Sequence, residues 1–207
     1  MWTTYLSLVV IHIVFANLLP NSTLFSHSKT LDLSIISLGS KHTETSTGLY
    51  LSQSKYICDL LDRFHMSDAS PCHTLMAAHK SLSAFSGELL PNPIEYRSAV
   101  GALQYLCNTR LDISYSVGKL SQYLSQPTIE HWKAIKRVLK YLRGTIHYGI
   151  HIKPSAPLVL AAYSDADWAS CPDDRRSVGG YCVFLGDSLV SWSSKKQLVV
   201  SRSSCEC

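Results

Sequence analysis

The sequence predicts an α/β chain of the α+β kind, with helices first and an antiparallel sheet after them, and three observations carry that prediction. Apolar residues recur at helical spacing in a series of stretches between Ser52 and Arg143. From Ile146 onward the period changes to two, as in half-buried strands. With 46% hydrophobic and 16% charged residues, 207 residues are enough to bury a core in one or two small domains, and the composition is not that of a disordered chain.

The first element is an apolar run from Tyr5 to Leu19 that ends at Pro20. It has the look of a signal-peptide core, yet no Lys or Arg precedes it, and His12 and Asn17 make it too polar and too short for a membrane span. From Ser52 to Met66, Tyr56, Ile57, Leu60, Leu61 and Phe64 fall on one helical face. Residues 67–93 are rich in Ser, Pro, Ala and His without periodicity and predict a connecting loop. A second helix is expected over Pro93–Cys107, burying Tyr96, Val100, Leu103 and Leu106, and a third over Asp112–Ser125, with Asp112 as N-cap and Val117, Leu120 and Leu124 inward. The fourth, Thr128–Arg143, has Thr128 as cap, a stripe of Trp132, Ile135, Leu139 and Leu142, and Gly144 as its stop.

Beyond it Ile146, Tyr148, Ile150 and Ile152 alternate, followed by expected strands at Leu158–Asp165, Tyr181–Leu185 and Leu189–Trp192. Gly186-Asp187 marks a hairpin between the last two.

The net charge of +4 is unevenly spread, because Lys133, Lys136, Arg137, Lys140 and Arg143 crowd one face of the fourth helix. That face is either a track for phosphates or an ordinary solvated surface. The seven cysteines, at positions 58, 72, 107, 171, 182, 205 and 207, are odd in number and lack metal-site spacing, so they read as free thiols in a reducing compartment. Trp132 and Trp192 are expected in cores, and His65, His73 and His79 lack ligand spacing.

Several runs resemble the Pol polyproteins of copia-type long-terminal-repeat retrotransposons. They are Gly48-Leu49-Tyr50-Leu51-Ser52-Gln53-Ser54-Lys55-Tyr56, Tyr96-Arg97-Ser98-Ala99-Val100-Gly101-Ala102-Leu103-Gln104-Tyr105-Leu106, Thr109-Arg110-Leu111-Asp112-Ile113, the helix His131–Gly144, Tyr163-Ser164-Asp165-Ala166-Asp167-Trp168-Ala169, Arg175-Arg176-Ser177 and Ser191-Trp192-Ser193-Ser194-Lys195-Lys196-Gln197. The family usually has Pro where Leu111 stands. The matches run in order over about residues 41–204.

The resemblance implies a helical thumb- or connection-like end of a reverse transcriptase over residues 41–144, and a truncated ribonuclease H-like mixed sheet over 145–207. Ribonuclease H cuts the RNA strand of an RNA–DNA hybrid with a water activated by paired Mg²⁺ ions, held by several carboxylates. Asp165, expected at the inner end of a central strand, matches the first catalytic and metal-binding Asp, and Asp167 a supporting position. Glu206 falls on a non-catalytic Glu of the next helix, so the remaining ligands are expected to be missing, and Mg²⁺ belongs to the parent family rather than to a working site here. Without partners Asp165 reads equally as a strand-end carboxylate capping a turn.

Residues 1–40 have a further reading. Met1-Trp2-Thr3-Thr4-Tyr5 can be encoded ATG TGG ACG ACA TAT, which regroups with a preceding T to Tyr-Val-Asp-Asp-Ile, the family's polymerase metal-binding hairpin. Lys29 to Ser40 regroups at the same offset to Lys-Asp-Leu-Gly-Pro-Leu-His-Tyr-Phe-Leu-Gly-Ile, the family's next segment. Residues 1–40 are therefore expected to be frameshifted, their apolar run and the glycosylation-like Asn21-Ser22-Thr23 without selected meaning.

The expectation is a non-catalytic relic of Pol, intracellular in the cytoplasm or nucleus. Its partner is an RNA–DNA hybrid or other nucleic acid held weakly on the basic helix, with no small-molecule substrate and no membrane. The alternatives are an active Mg²⁺-dependent ribonuclease H, and a small secreted or membrane-attached protein using the apolar run.

Overall fold

A computed structural model describes residues 41–77, 81–155, 157 and 159–200. The apolar run, both regrouped segments, His79 and Glu206 lie outside the described residues. In chain order the elements are β1 (Lys41–Thr45), β2 (Gly48–Ser52), α1 (Ser54–Arg63), α2 (Pro93–Leu106), a 3₁₀ turn (Leu111–Ile113), α3 (Ser114–Leu120), a second 3₁₀ turn (Ser121–Tyr123), α4 (Ile129–Gly144), β3 (Gly149–Ile152), β4 (Leu160–Ala166), β5 (Val178–Leu185) and β6 (Ser188–Lys196). The class is mixed α and β, with two three-stranded antiparallel sheets of order β1-β2-β3 and β4-β5-β6.

The helices form where local chemistry allows them. Pro93 opens α2, where its missing N–H costs nothing, and the side chain of Asn92 accepts from the Ile94 N–H. At α4, Thr128 and His131 cap each other's ends, and the Thr128 N–H donates to His131 Nδ1 at 3.0 Å. The stripes then meet. Ile57, Leu60 and Leu61 of α1, Tyr96, Val100, Leu103 and Leu106 of α2, Val117 and Leu120 of α3, and Ile135, Val138, Leu139 and Leu142 of α4 form one buried cluster. Truncating a fully buried member such as Leu139 to Ala would cost about 2–5 kcal/mol. Trp132 packs against this cluster, as expected.

The third helix differs from its expectation. Instead of one helix from Asp112, α3 is a short α-helix between two 3₁₀ turns. Asp112 caps nothing, because Arg110 claims its carboxylate through Nε at 2.9 Å and Nη2 at 2.7 Å. At the other end Ser121 Oγ donates back to the Gly118 carbonyl at 2.8 Å, a side-chain bond that competes with continuing the helix.

The strands at residues 41–52 are an addition to the sequence reading. They recruit Gly149–Ile152, which pairs with β2 in the register Leu51↔Ile150 rather than with β4. Two glycines permit this. A Cβ on Gly48, whose φ is +141°, would stand 2.1 Å from the Ile152 carbonyl oxygen, and one on Gly149 would stand 2.1 Å from that of Leu51. A second, smaller core of Leu51, Ile150, Ile152, Leu185 and Val190 joins the two sheets, with Trp192 packed against it. The hairpin at Gly186-Asp187 stands as expected, with Gly186 at φ +56°.

Candidate functional site

Asp165 lies on β4, opposite Gly180 of β5. Among the described residues β4 is an edge strand, not a central one, since its other side pairs with nothing described. The Asp165 side chain is exposed, and its Oδ1 accepts from the Ala166 N–H at 2.9 Å. Alternation places Asp167 toward the same face. Its Oδ1, however, is taken by the Val178 N–H at 2.7 Å, which ties β4 to the start of β5.

The loop between them is folded by the quoted motifs themselves. Ser177 Oγ accepts from the Ala169 N–H at 3.0 Å, and Asp174 takes Lys196 Nζ at 2.9 Å. These contacts hold Ala169 and Arg175 at φ +53° and +58°, where side chains are strained. Among the described residues, no three His, Cys, Asp or Glu side chains come together in a way that could hold a metal ion. The residues described around Asp165 thus do not fit a two-metal site.

The five cations of α4 are largely engaged within the chain. Arg137 Nε donates to the Thr74 carbonyl at 3.2 Å and its Nη2 to the Thr74 hydroxyl. Arg143 Nε donates to the Ser67 carbonyl at 2.7 Å. Lys133 pairs with Glu130 at 2.8 Å, and Lys136 Nζ sits 5.7 Å from the Trp132 ring centre. Both arginines therefore fasten the loop at 67–77 onto the helix, and Lys140 alone of the five makes no side-chain hydrogen bond, ion pair or ring contact among the described residues.

Sequence reasoning gave no role to Arg110. It is 1% exposed, bonds Asp112 twice, donates to the Thr145 carbonyl at 2.9 Å and to its hydroxyl at 2.7 Å, and lies within 6 Å of the Tyr141 and Tyr148 rings. The Tyr141 hydroxyl also donates to Asp112, at 2.9 Å. Burial pushes the Asp112 carboxyl up, but the bonds and charge of Arg110 and the Tyr141 hydroxyl outweigh it and hold the group below its ordinary value. The signal for this clasp is the motif Arg110-Leu111-Asp112 itself, whose charged residues two apart would meet only if the backbone turned tightly. The clasp forms part of the wall of a cleft of about 550 Å³ that Tyr50, Tyr148 and Phe184 also line.

Against known proteins, the Retrovirus-related Pol polyprotein from transposon RE2 of Arabidopsis thaliana is 53% identical over 169 residues, 82% of this chain. The chain belongs to the retrovirus-related Pol polyproteins of copia-type transposons. The corresponding Pol polyprotein from transposon TNT 1-94 of Nicotiana tabacum is 41% identical over 172 residues, 78% of this chain. The chain spans only 12% and 13% of the length of those two polyproteins. An uncharacterized mitochondrial protein of Arabidopsis thaliana is 41% identical over 196 residues, covering 92% of this chain and 81% of that protein. No protein-family model matches, and no solved structure does. Within this Pol segment, the conspicuous motif residues Arg110, Asp112, Asp167 and Ser177 are spent on internal contacts that shape turns.

Proposed function

We propose that this chain is a catalytically silent remnant of a Pol polyprotein. In this reading α1–α4 correspond to the end of a reverse transcriptase, and β4–β6 to the opening meander of a ribonuclease H-like sheet. Element order supports it, with packed helices followed by an antiparallel hairpin series whose first strand carries Asp165. The outer face of α4 offers nucleic acid an electrostatic contact, where Lys140 is the cation least committed to the chain itself.

The observation that carries the silent reading is the state of Asp165: an exposed carboxylate bonded to its neighbour's backbone, with Asp167 turned to the Val178 amide. Splitting a phosphodiester between two divalent ions needs several carboxylates converging on one spot, and among the described residues no three possible ligands converge. Titrating the 207-residue chain with Mn²⁺, read by its electron paramagnetic resonance, tests this. The reading expects no pair of saturable sites that Asp165→Asn abolishes; two such sites would overturn it.

A further inference from the structure

The cleft between α3 and β6 has a composition that nothing above uses. It holds about 230 Å³ and is lined by Tyr115, Gly118, Lys119, Ser121, Gln122, Val178, Ser194, Lys195 and Lys196, three lysines and no carboxylate. Gly118 allows it to be narrow: a Cβ there would lie 3.4 Å from the Ser194 carbonyl oxygen, so helix and strand backbones run close together.

Lys119 is the decisive residue. It is 7% exposed, yet among the described residues no carboxylate pairs with it and no hydrogen bond to its ammonium is present. Its stem is buried while its ammonium is not among the buried unpartnered atoms, so the charge is presented to the cleft rather than sealed in the core. The neighbouring acid is occupied, because Asp174 pairs with Lys196 at 2.9 Å. Ser121 and Gln122 both bond the Gly118 carbonyl, whereas the Ser194 and Tyr115 hydroxyls make no hydrogen bond among the described residues, with the charge of Asp167 acting on Tyr115. One unpaired ammonium and two hydroxyls without hydrogen-bond partners, in a cleft whose lining holds no carboxylate, are the donor set for a tetrahedral oxyanion.

We propose that this cleft binds a phosphate group, with Lys119 as its counter-ion and the Ser194 and Tyr115 hydroxyls as further donors. The phosphate comes from a nucleic-acid backbone or from free phosphate, and the two share this recognition chemistry. The inference is independent of whether the chain cleaves anything, since Asp165 is not among the residues that line the cleft.

The test is a ³¹P nuclear magnetic resonance titration of the full chain with inorganic phosphate, repeated with an oligothymidylate as competitor. Saturable binding is expected, and Lys119→Met should weaken it at least about tenfold, the worth of a charge-assisted contact. Because Lys119→Met also alters packing, Gln122→Glu is the second variant: it sets a carboxylate in the cleft as a built-in counter-ion and should weaken phosphate by a similar factor while keeping the chain folded. Lys55→Gln, exposed on α1, should change nothing. Competition by the oligothymidylate assigns the site to a nucleic-acid backbone, and its failure assigns it to free phosphate; either keeps the site. No saturable binding to the unaltered chain, or unchanged affinity in Gln122→Glu, overturns the proposal.

Discussion

Trp192 of β6 donates its indole N–H to the backbone carbonyl of Cys107, 3.1 Å away across 85 positions of sequence, and so links the second sheet to the end of α2. The ring also packs against the small core that joins the two sheets, so one side chain couples both sheets to the helices. Trp192→Phe removes the hydrogen bond and keeps most of the packing; the expected loss is about 1 kcal/mol in urea denaturation followed by circular dichroism. Trp192→Ala should lose about 3 kcal/mol, because packing goes as well. No loss in Trp192→Phe would show that the indole N–H contributes nothing, and equal losses in the two variants would show that the packing does not.

Breaking the clasp at Arg110 should be expensive and pH-dependent. Asp112→Asn strands a guanidinium that is 1% exposed, and about 2–3 kcal/mol of stability should go, the low side of the cost of a broken buried pair because Thr145 still accepts from the guanidinium. The Asp112 carboxyl titrates below its ordinary value in the fold. The unfolded chain therefore takes up this proton first. The contribution is complete above about pH 4 and is lost as pH falls through the folded value. Chemical denaturation at a series of pH values should show this slope in the unaltered chain and a shallower one in Asp112→Asn.

His131 predicts a second dependence in a different window. Its ring is buried, stacked 3.9 Å from Tyr123, and bonded through Nδ1 to the Thr128 backbone. Burial pushes its pKa down, against the Ser83 backbone and the charges of Asp173 and Glu130. Unfolding lets the ring take up a proton, so stability should decline as pH drops below about 6.5, the ordinary value of an exposed histidine. His131→Gln should flatten the profile between about pH 5 and 7. A profile of the same slope in both proteins would contradict the assignment.

How far the fold could be read in advance depended on where each residue's partner lies. Helices α1, α2 and α4 were legible because their stripes and caps are local: Ile57, Leu60 and Leu61 need only a 3.6 period to share a face, and Pro93 and Thr128 act within a turn. The hairpin at Gly186 was legible for the same reason. Asp112 misled because its cap role was decided by Arg110 and by Tyr141, 29 positions away. Strand β2 escaped notice since its pairing with Gly149–Ile152 rests on two glycines whose close approach shows only when the strands meet. At the candidate site, the motif around Asp165 pointed to a residue without its partner acids but not to the Val178 amide that takes Asp167, and the α4 cations looked free on a helical wheel although Arg137 and Arg143 reach carbonyls of a loop 63 and 76 positions earlier. Lys119 gave no signal, because a lone lysine at a helical position is unremarkable until the strand carrying Ser194 closes over it.

Whether the carboxylates around Asp165 can support hydrolysis is decided by incubating the purified 207-residue protein with an end-labelled RNA–DNA hybrid in millimolar Mg²⁺ and resolving the RNA on a denaturing gel. A silent remnant leaves RNA of unchanged length, with and without Asp165→Asn. Shortened RNA that requires Mg²⁺ and disappears with Asp165→Asn would contradict it.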